Sequence, residues 1–136
     1  MDTHPTHLTV ELTHWVTSAL ALRRSAEFSY DTGDPLAVTL IVEADGNRLV
    51  RWVFARDLLT EGLAARAGEG DVALWPVDGP DGERSAYCLR LGSTRTALFE
   101  IPAAPVVRWL AGTYALVARG AELDGVDWDV LVQPAE

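Results

Sequence analysis

The residues of this chain that could perform nucleophilic or metal chemistry are three histidines and one cysteine. His4 and His7 form an HxxH pair around Pro5, but this polar N-terminal segment is typical of a solvated chain end rather than of a metal site. His14 continues the apolar face of a predicted strand, where a hydrogen-bonded, partly buried ring is expected. Cys88 alternates with apolar neighbours, and no histidine follows it in the chain to act as its base. These residues predict neither a bound metal nor a nucleophile.

Carboxylates are the other groups that could carry chemistry. Asp31 and Asp34 lie in the segment DTGDP, and three more acids lie near the C-terminus: Asp124, Asp127 and Asp129. Paired carboxylates act as general acid and base only in a cleft that shifts their pKa values. DTGDP is typical of a turn in which Asp side chains accept from backbone N–H groups. The C-terminal acids suit the N-cap and first turn of a helix. We therefore predict no catalytic residue, no cofactor and no enzymatic activity.

Charge limits the partners that this chain can bind. The net charge is −9, and all 11 basic residues are arginine. An excess of negative charge disfavours binding to nucleic-acid phosphates and to anionic membranes. Four of the arginines, Arg48, Arg51, Arg90 and Arg95, could still form a local basic patch. Binding to nucleic acid is therefore predicted to be weak.

The cellular compartment follows from the cysteine count and from the apolar segments. A single cysteine excludes an internal disulfide and is typical of a reducing cytoplasm. No apolar run approaches the ~18 residues of a membrane span, and the first residues lack the pattern of a signal peptide. We predict a cytoplasmic protein with a single domain over residues 1–136, in which residues 1–7 are flexible.

Hydropathy periodicity predicts the elements that position these residues. Alternating apolar and polar residues indicate seven strands, over residues 8–16, 25–31, 36–44, 48–54, 72–77, 85–91 and 95–101. Helical spacing begins at Arg56, and a second helix opens around Pro105 and ends by Gly120. The segment AGEGD is expected to be a loop, and residues 126–133 fit either a strand or a helix. Short links between strands imply antiparallel pairing and an α+β fold, rich in antiparallel β-structure.

The tryptophans divide into core and surface positions. Trp52, Trp75 and Trp109 fall on apolar faces and are predicted to lie in the core. Trp15 instead shares a strand face with threonines and a glutamate, so it is predicted to contact a partner or another subunit, although a loop or the tail could equally cover it.

The segment VRWVFARDLLTEGL, residues 50–63, changes from strand to helical period without a glycine or proline between the two elements. Two interpretations remain open. In the first, Arg56 pairs with Asp31 or Asp34 and the segment stabilises the fold. In the second, Asp57 and Glu61 project from the helix as part of an acidic docking face.

Three motifs, YDTGDPLAV, VRWVFARDLLTEGL and GEGDVALWP, occur in this order and resemble the SsgA-like proteins, the sporulation and cell-division proteins of filamentous actinobacteria. Within them, the residues that match the family pattern and support the fold are Tyr30, Asp31, Asp34, Pro35, Trp52, Phe54, Arg56, Asp71, Trp75 and Pro76.

The resemblance implies a function that the residues alone do not. SsgA-like proteins are non-catalytic adaptors that control septum placement, and one branch, which this chain resembles in length, recruits the tubulin-like protein FtsZ to future septa. The expected fold is similar to that of whirly-type single-stranded nucleic-acid-binding proteins. The expected partners are FtsZ, SsgA-like paralogues and further copies of the chain in a trimer. A single-stranded nucleic-acid-binding module is the alternative function, which the fold analogy suggests.

Overall fold

The computed structural model describes residues 5–44, 48–82 and 84–124, which form eight strands and two helices. The first half contains β1 (Pro5–Trp15), β2 (Ala21–Asp31), β3 (Ala37–Glu43), β4 (Leu49–Ala55) and α1 (Arg56–Ala64). The second half contains β5 (Ala67–Glu69), β6 (Val72–Asp78), β7 (Arg84–Leu91), β8 (Ala97–Pro102) and α2 (Ala103–Leu116). Each half thus places one helix after its strands.

All eight strands form one antiparallel sheet in the order β4-β3-β2-β1-β8-β7-β6-β5. The two halves join where β1 pairs with β8, in the register Thr13↔Glu100 to Trp15↔Leu98. Every other neighbouring pair is consecutive in the chain, as short links between strands favour. The predicted α+β fold with antiparallel strands is confirmed.

The sheet is curved around its helices. A flat sheet of eight strands would place its edge strands, β4 and β5, about 33 Å apart. Helix α1 nevertheless contacts β4, β5 and β6, while α2 packs on β1 and β7 in the middle of the sheet. One face of the sheet is therefore concave and encloses the core, and the other is convex.

The concave face carries the apolar residues of each alternating strand. Phe28, Leu40, Leu74 and Leu89 are completely buried, and the ring of Phe28 lies 5.7 Å from that of Trp109 in α2. The residues that alternate with these core residues along each strand point to the convex face, where Thr9 and Glu11 of β1 are exposed. The period of two thus sorts the side chains by face, as predicted.

Gly62 lets α1 approach the sheet closely. It is buried, and a Cβ built on it would lie 2.5 Å from the Cβ of Leu74 in β6. Real Cβ atoms do not approach so closely, so any side chain at this position would push α1 away from β6.

Several element boundaries differ from the predictions. Residues 1–7 were predicted to be flexible, but β1 begins at Pro5, and residues 5–7 pair with β2. β2 begins at Ala21 rather than at residue 25, because its polar first half pairs along the full length of β1. The predicted loop AGEGD contains β5, which pairs with β6 through Ala67–Glu69. The bounds of these strands depend on pairing with neighbouring strands, and the hydropathy pattern of polar or small residues does not predict that pairing. Residues 126–133 lie outside the described part of the chain.

Candidate functional site

The strand-to-helix junction in residues 50–63 turns without glycine or proline. Ala55 keeps an extended conformation (φ −65°, ψ 136°), and α1 starts at the next residue with no side-chain cap. The backbone N–H of Arg56 instead donates to the carbonyl of Leu36, at 2.8 Å, in the segment that precedes β3. A tertiary hydrogen bond therefore satisfies one of the free donors at the start of the helix.

Arg56 itself is completely buried and binds the C-terminal end of α2. Its Nη1 donates to the carbonyl oxygens of Thr113, at 3.1 Å, and Val117, at 2.8 Å. Nη2 donates to Glu122 Oε2 at 2.9 Å. A cation at a helix C-terminus interacts favourably with the helix dipole and with carbonyls that have no partner within the helix. One guanidinium thus connects the start of α1 to the end of α2.

Two tyrosine rings pack against the guanidinium. Its central carbon lies 4.7 Å from the ring centroid of Tyr30 and 4.1 Å from that of Tyr114. The hydroxyl of Tyr30 donates to the carbonyl of Pro35 at 2.9 Å. The motif residues Tyr30, Pro35 and Arg56 therefore form one cluster around the buried guanidinium, which we call the arginine clamp together with Tyr114 and Glu122.

The predicted partner of Arg56 was wrong. Asp31 and Asp34 lie in an exposed turn, where Asp31 Oδ1 accepts from the backbone N–H of Gly33 at 2.8 Å, as the turn prediction required. The carboxylate that pairs with Arg56 belongs to Glu122, 66 residues later in the chain. Sequence reasoning missed Glu122 because it follows α2 in a segment with no motif, and only the packing of α2 brings it to Arg56.

Glu122 is a buried anion. Its side chain is 6% exposed, and its second oxygen accepts from the N–H of Gly120 at 2.8 Å. The hydrogen bond from Arg56 is the main cause that lowers the pKa of the Glu122 carboxyl below its ordinary value. The Glu122 carboxyl is therefore ionised at neutral pH and faces the guanidinium of Arg56.

The two acids of α1 share a cation. Arg119 contacts Asp57 Oδ1 through Nε at 3.3 Å, and its Nη2 donates to Glu61 Oε1 at 3.0 Å. The Asp57 carboxylate also accepts from the hydroxyl of Tyr114 at 3.1 Å. Asp57 is the main cause that raises the pKa of Arg119. The predicted acidic face is thus a mixed-charge surface, and sequence reasoning missed Arg119.

The three tryptophans that were predicted to lie in the core occupy different environments. Trp109 is buried in the core, as predicted, and Trp52 is half-buried on the concave face, against the core. The prediction for Trp75 was wrong: the residue is half-buried on the convex face, opposite Cys88, and the guanidinium of Arg66 lies 4.7 Å from its ring centroid. An arginine from the segment after α1 covers the ring there, and the period of the strand does not reveal that contact.

Trp15 lies on the convex face at the end of β1, as its polar neighbours predicted. It is half-buried, opposite Ala21 in β2 and Leu98 in β8. The adjoining β1–β2 turn exposes Val16, and Leu20 there is 47% exposed. Trp15 therefore lies next to an exposed apolar surface at one end of the sheet.

The remaining motif residues have structural positions. Phe54 is buried in the core, and Pro76 is half-buried in β6, opposite Tyr87. Asp71 is exposed, and its carbonyl accepts from the N–H of Gly92 at 2.9 Å. These residues hold β4 and β6 in the sheet.

The four arginines of the predicted basic patch do not meet on one surface. Arg48 and Arg95 line a cavity at one end of the concave side. Arg51 and Arg90 are exposed on the convex face, because their neighbours Trp52 and Leu89 point inward.

His7, His14 and the cysteine have ordinary surroundings, and His4 lies outside the described residues. The ring of His14 lies 4.8 Å from that of Phe99, and His7 Nδ1 lies 3.4 Å from Glu27. Cys88 is buried, and burial raises the pKa of its thiol. Within residues 5–44, 48–82 and 84–124, no group of three or more histidine, cysteine or acidic side chains could hold a metal ion. Neither helix in this part of the chain is long and apolar enough to cross a bilayer.

Comparison with known proteins identifies a family. Residues 25–122 match the family model described as "Streptomyces sporulation and cell division protein, SsgA". The chain is 43% identical over 116 residues to the sporulation-specific cell division protein SsgB of Salinispora tropica, an alignment that covers 84% of this chain and 80% of that protein. It is 39% identical over 115 residues to SsgB of Streptomyces coelicolor, with 84% and 82% covered.

Two solved structures share the fold. One is a structure of SsgB, reported with mutations that correlate to longitudinal cell division during sporulation of Streptomyces coelicolor. It superposes on this chain with a TM-score of 0.82 at 36% sequence identity, and the alignment covers 90% of this chain and 95% of the SsgB chain. The other is an SsgA-like sporulation-specific cell division protein from Thermobifida fusca, with a TM-score of 0.82 at 32% identity over 95% and 93%.

Proposed function

Since this chain belongs to the SsgA family of sporulation and cell-division proteins, we propose that it is a non-catalytic adaptor that helps to recruit FtsZ to future septa. In this proposal the protein works in the cytoplasm at division sites and contacts FtsZ, SsgA-like paralogues and further copies of itself. Its role in cell division is supported by the SsgB relatives, which match more than four-fifths of the chain.

The arginine clamp is the observation that carries the adaptor proposal. It connects the start of α1 to the end of α2 through three hydrogen bonds of Arg56. Because α1 is held at its buried side, its exposed side is presented on a rigid element, which reduces the entropy lost on binding. Glu61 lies on that side, with its side chain 54% exposed.

Co-sedimentation with polymerised FtsZ tests the proposal. Wild-type protein is expected in the pellet with the polymer, and Glu61→Arg is expected to reduce that fraction, because a reversed charge in an interface can cost several kcal/mol. The matched control is Glu69→Arg, an exposed acid in β5. Melting should change little for Glu69→Arg, by about 0.5 kcal/mol, and by about 1 kcal/mol for Glu61→Arg, which also loses the exposed ion pair with Arg119. Absence of the wild-type protein from the pellet would contradict FtsZ recruitment, and equal pelleting of all three would show that α1 is not the docking surface.

The proposed homo-oligomer, a trimer, is supported by the apolar end of the sheet next to Trp15. Val16 and Leu20 are exposed there beside the half-buried Trp15. Contiguous exposed apolar residues mark interaction sites. Light scattering should give a mass above the 14.8 kDa of one chain, and Leu20→Glu should lower it. A monomeric mass for the wild-type protein across a dilution series would contradict the assembly.

Single-stranded nucleic-acid binding has weaker support. Such binding uses a continuous basic groove with stacking aromatic rings, whereas Arg51 and Arg90 lie on the face opposite to Arg48 and Arg95. The net charge of −9 opposes phosphate binding. Submicromolar binding of single-stranded DNA at physiological salt would favour this function over the adaptor.

A further inference from the structure

An open cavity of about 500 Å³ lies at the end of the sheet where the β1–β2, β3–β4 and β7–β8 links turn. This volume is typical of ligand pockets, which measure about 300–1,000 Å³. Among the described residues that line it, none belongs to α1 or α2, so the helices leave this end of the concave face open. Its floor is apolar and consists mainly of Val50, Trp52, Leu91 and Phe99.

The rim of the cavity is positively charged. Arg24, Arg48 and Arg95 line it, and Glu43 is the one acid among the described lining residues. Arg24 Nε donates to Nδ1 of His14 at 3.4 Å. Arg48 and Arg95 are exposed, and within the described residues neither has an ion-pair partner. In a chain of net charge −9, this rim has the opposite sign to the protein as a whole.

The backbone on both sides of the cavity is held in place. On the β7–β8 side, Gly92 has a φ of +108°, and a Cβ there would collide with the carbonyl of Arg95. This tight turn requires glycine and fixes the start of the segment that carries Arg95. On the β3–β4 side, the N–H of Ala44 donates to the carbonyl of Arg48 at 2.7 Å. Arg95 therefore extends from a turn that Gly92 fixes, and Arg48 from a residue whose backbone is hydrogen-bonded to Ala44.

We propose that this cavity, which we call the arginine-rimmed cavity, docks a peptide segment of a partner protein in which carboxylates flank an apolar anchor residue. The anchor side chain enters the apolar floor, and the carboxylates pair with Arg48 and Arg95 at the rim. Arginine suits such pairing because its planar fork binds a carboxylate through two parallel hydrogen bonds. The choice of a peptide rests on the proposed adaptor function.

The charge and shape of the cavity favour a peptide over a nucleic-acid strand. One or two carboxylates need only the local positive rim, whereas a strand of phosphates would also meet the negative surface around it. Base stacking along a strand needs aromatic faces in succession along a groove, whereas here two rings, those of Trp52 and Phe99, share the floor of a single cavity with Val50 and Leu91.

Fluorescence anisotropy tests the proposal on the full chain. The probe is a fluorescein-labelled hexapeptide with two aspartates on each side of a leucine–phenylalanine pair. We expect saturable binding with a Kd of about 10–100 μM, weakened by added salt. A peptide with lysines in place of the aspartates, and one with serines in place of the apolar pair, should not bind. No saturable binding of the first peptide up to about 1 mM would overturn the proposal.

Charge-reversal variants locate the binding site. The double variant Arg48→Glu with Arg95→Glu should weaken peptide binding by about 10- to 100-fold. The matched control is Arg51→Glu with Arg90→Glu, which makes the same change in net charge on the convex face. All four residues are exposed, so circular dichroism should show unchanged melting. Equal weakening in both double variants would mean binding to net charge and would overturn the cavity assignment.

Three further outcomes separate this proposal from its alternatives. If a labelled 12-nucleotide oligothymidylate binds more tightly than the peptide and depends on Arg48 and Arg95, the cavity binds nucleic acid and the peptide proposal is wrong. If the peptide binds through the cavity but wild-type protein does not co-sediment with FtsZ, the peptide site stands and FtsZ recruitment fails. If FtsZ co-sediments equally with wild type and the rim variant while the peptide does not bind, recruitment stands and the cavity assignment fails.

Discussion

Replacement of Arg56 by methionine should strongly destabilise the fold. The variant keeps an apolar stem of similar length but removes the guanidinium that donates to Thr113, Val117 and Glu122. A hydrogen bond that involves a charged group contributes about 1.5–3 kcal/mol, and each cation–π contact contributes about 0.5–2 kcal/mol. These terms are not additive, and removal of one partner from a buried ion pair costs about 3–5 kcal/mol. We therefore expect the free energy of unfolding to fall by about 3–5 kcal/mol.

That loss is a large share of the about 5–15 kcal/mol by which a domain is stable. For a chain of this length it corresponds to a melting temperature about 10–15 °C lower. Urea unfolding at neutral pH measures it, through the midpoint and the m-value together. Arg56→Lys should lose less, because lysine keeps the charge but cannot place a planar group between the rings of Tyr30 and Tyr114.

The matched control for this prediction is Arg108→Met on the exposed side of α2. An exposed substitution of this kind changes stability by about 0.5 kcal/mol. The reasoning would be refuted by an Arg56→Met variant whose unfolding free energy lies within about 1 kcal/mol of that of Arg108→Met. In that case the arginine clamp would not be what connects α1 to the end of α2.

Three further predictions follow from single contacts. Folding lowers the pKa of the Glu122 carboxyl, so the stability that Glu122 contributes is present at neutral pH and is lost as the pH falls through that lowered pKa. The urea midpoint of wild type should therefore fall more steeply below about pH 5 than that of Glu122→Gln. Gly62→Ala should lower the free energy of unfolding by about 1–2 kcal/mol, because its Cβ would meet Leu74. Gly112→Ala in α2 should raise it by up to about 1 kcal/mol, because a Cβ there meets nothing within 4 Å. Equal shifts of the melting temperature in the two variants would contradict this prediction. Leu59→Ala should cost about 2–5 kcal/mol in the same urea assay, since Leu59 is completely buried, and a loss below about 1 kcal/mol would contradict its place in the core.

Local periodicity predicted most of the fold. Alternation from Ala37 to Glu43 and from Leu49 to Ala55 marked β3 and β4 to within one residue, because each strand buries one face against the same core. The start of α1 at Arg56 was also predicted, since the apolar spacing changes at that residue. β5 was missed because three small or polar residues carry no period, and their strand exists only through pairing with β6.

The residues of the candidate site were recognised more reliably than their contacts. The motif identified Arg56, Asp57 and Glu61, but it assigned Arg56 to the wrong carboxylates and treated the two acids as an unbalanced negative surface. Glu122 and Arg119 follow α2, and no local pattern connects them to α1. Their contacts arise because α2 packs across the sheet and brings its C-terminal end to the start of α1.

The amino-acid sequence by itself determined the α+β class, the family and most of the residues that face the core, because these depend on side-chain order within one element. Only the tertiary structure decided which charged side chains contact each other. It buried Arg56 between Tyr30 and Tyr114, neutralised much of the α1 surface with Arg119, and separated Arg48 from Arg51 onto opposite faces. Electrostatic partners are set by distance in space, and residues more than 50 positions apart become neighbours only when the curved sheet and its helices have packed.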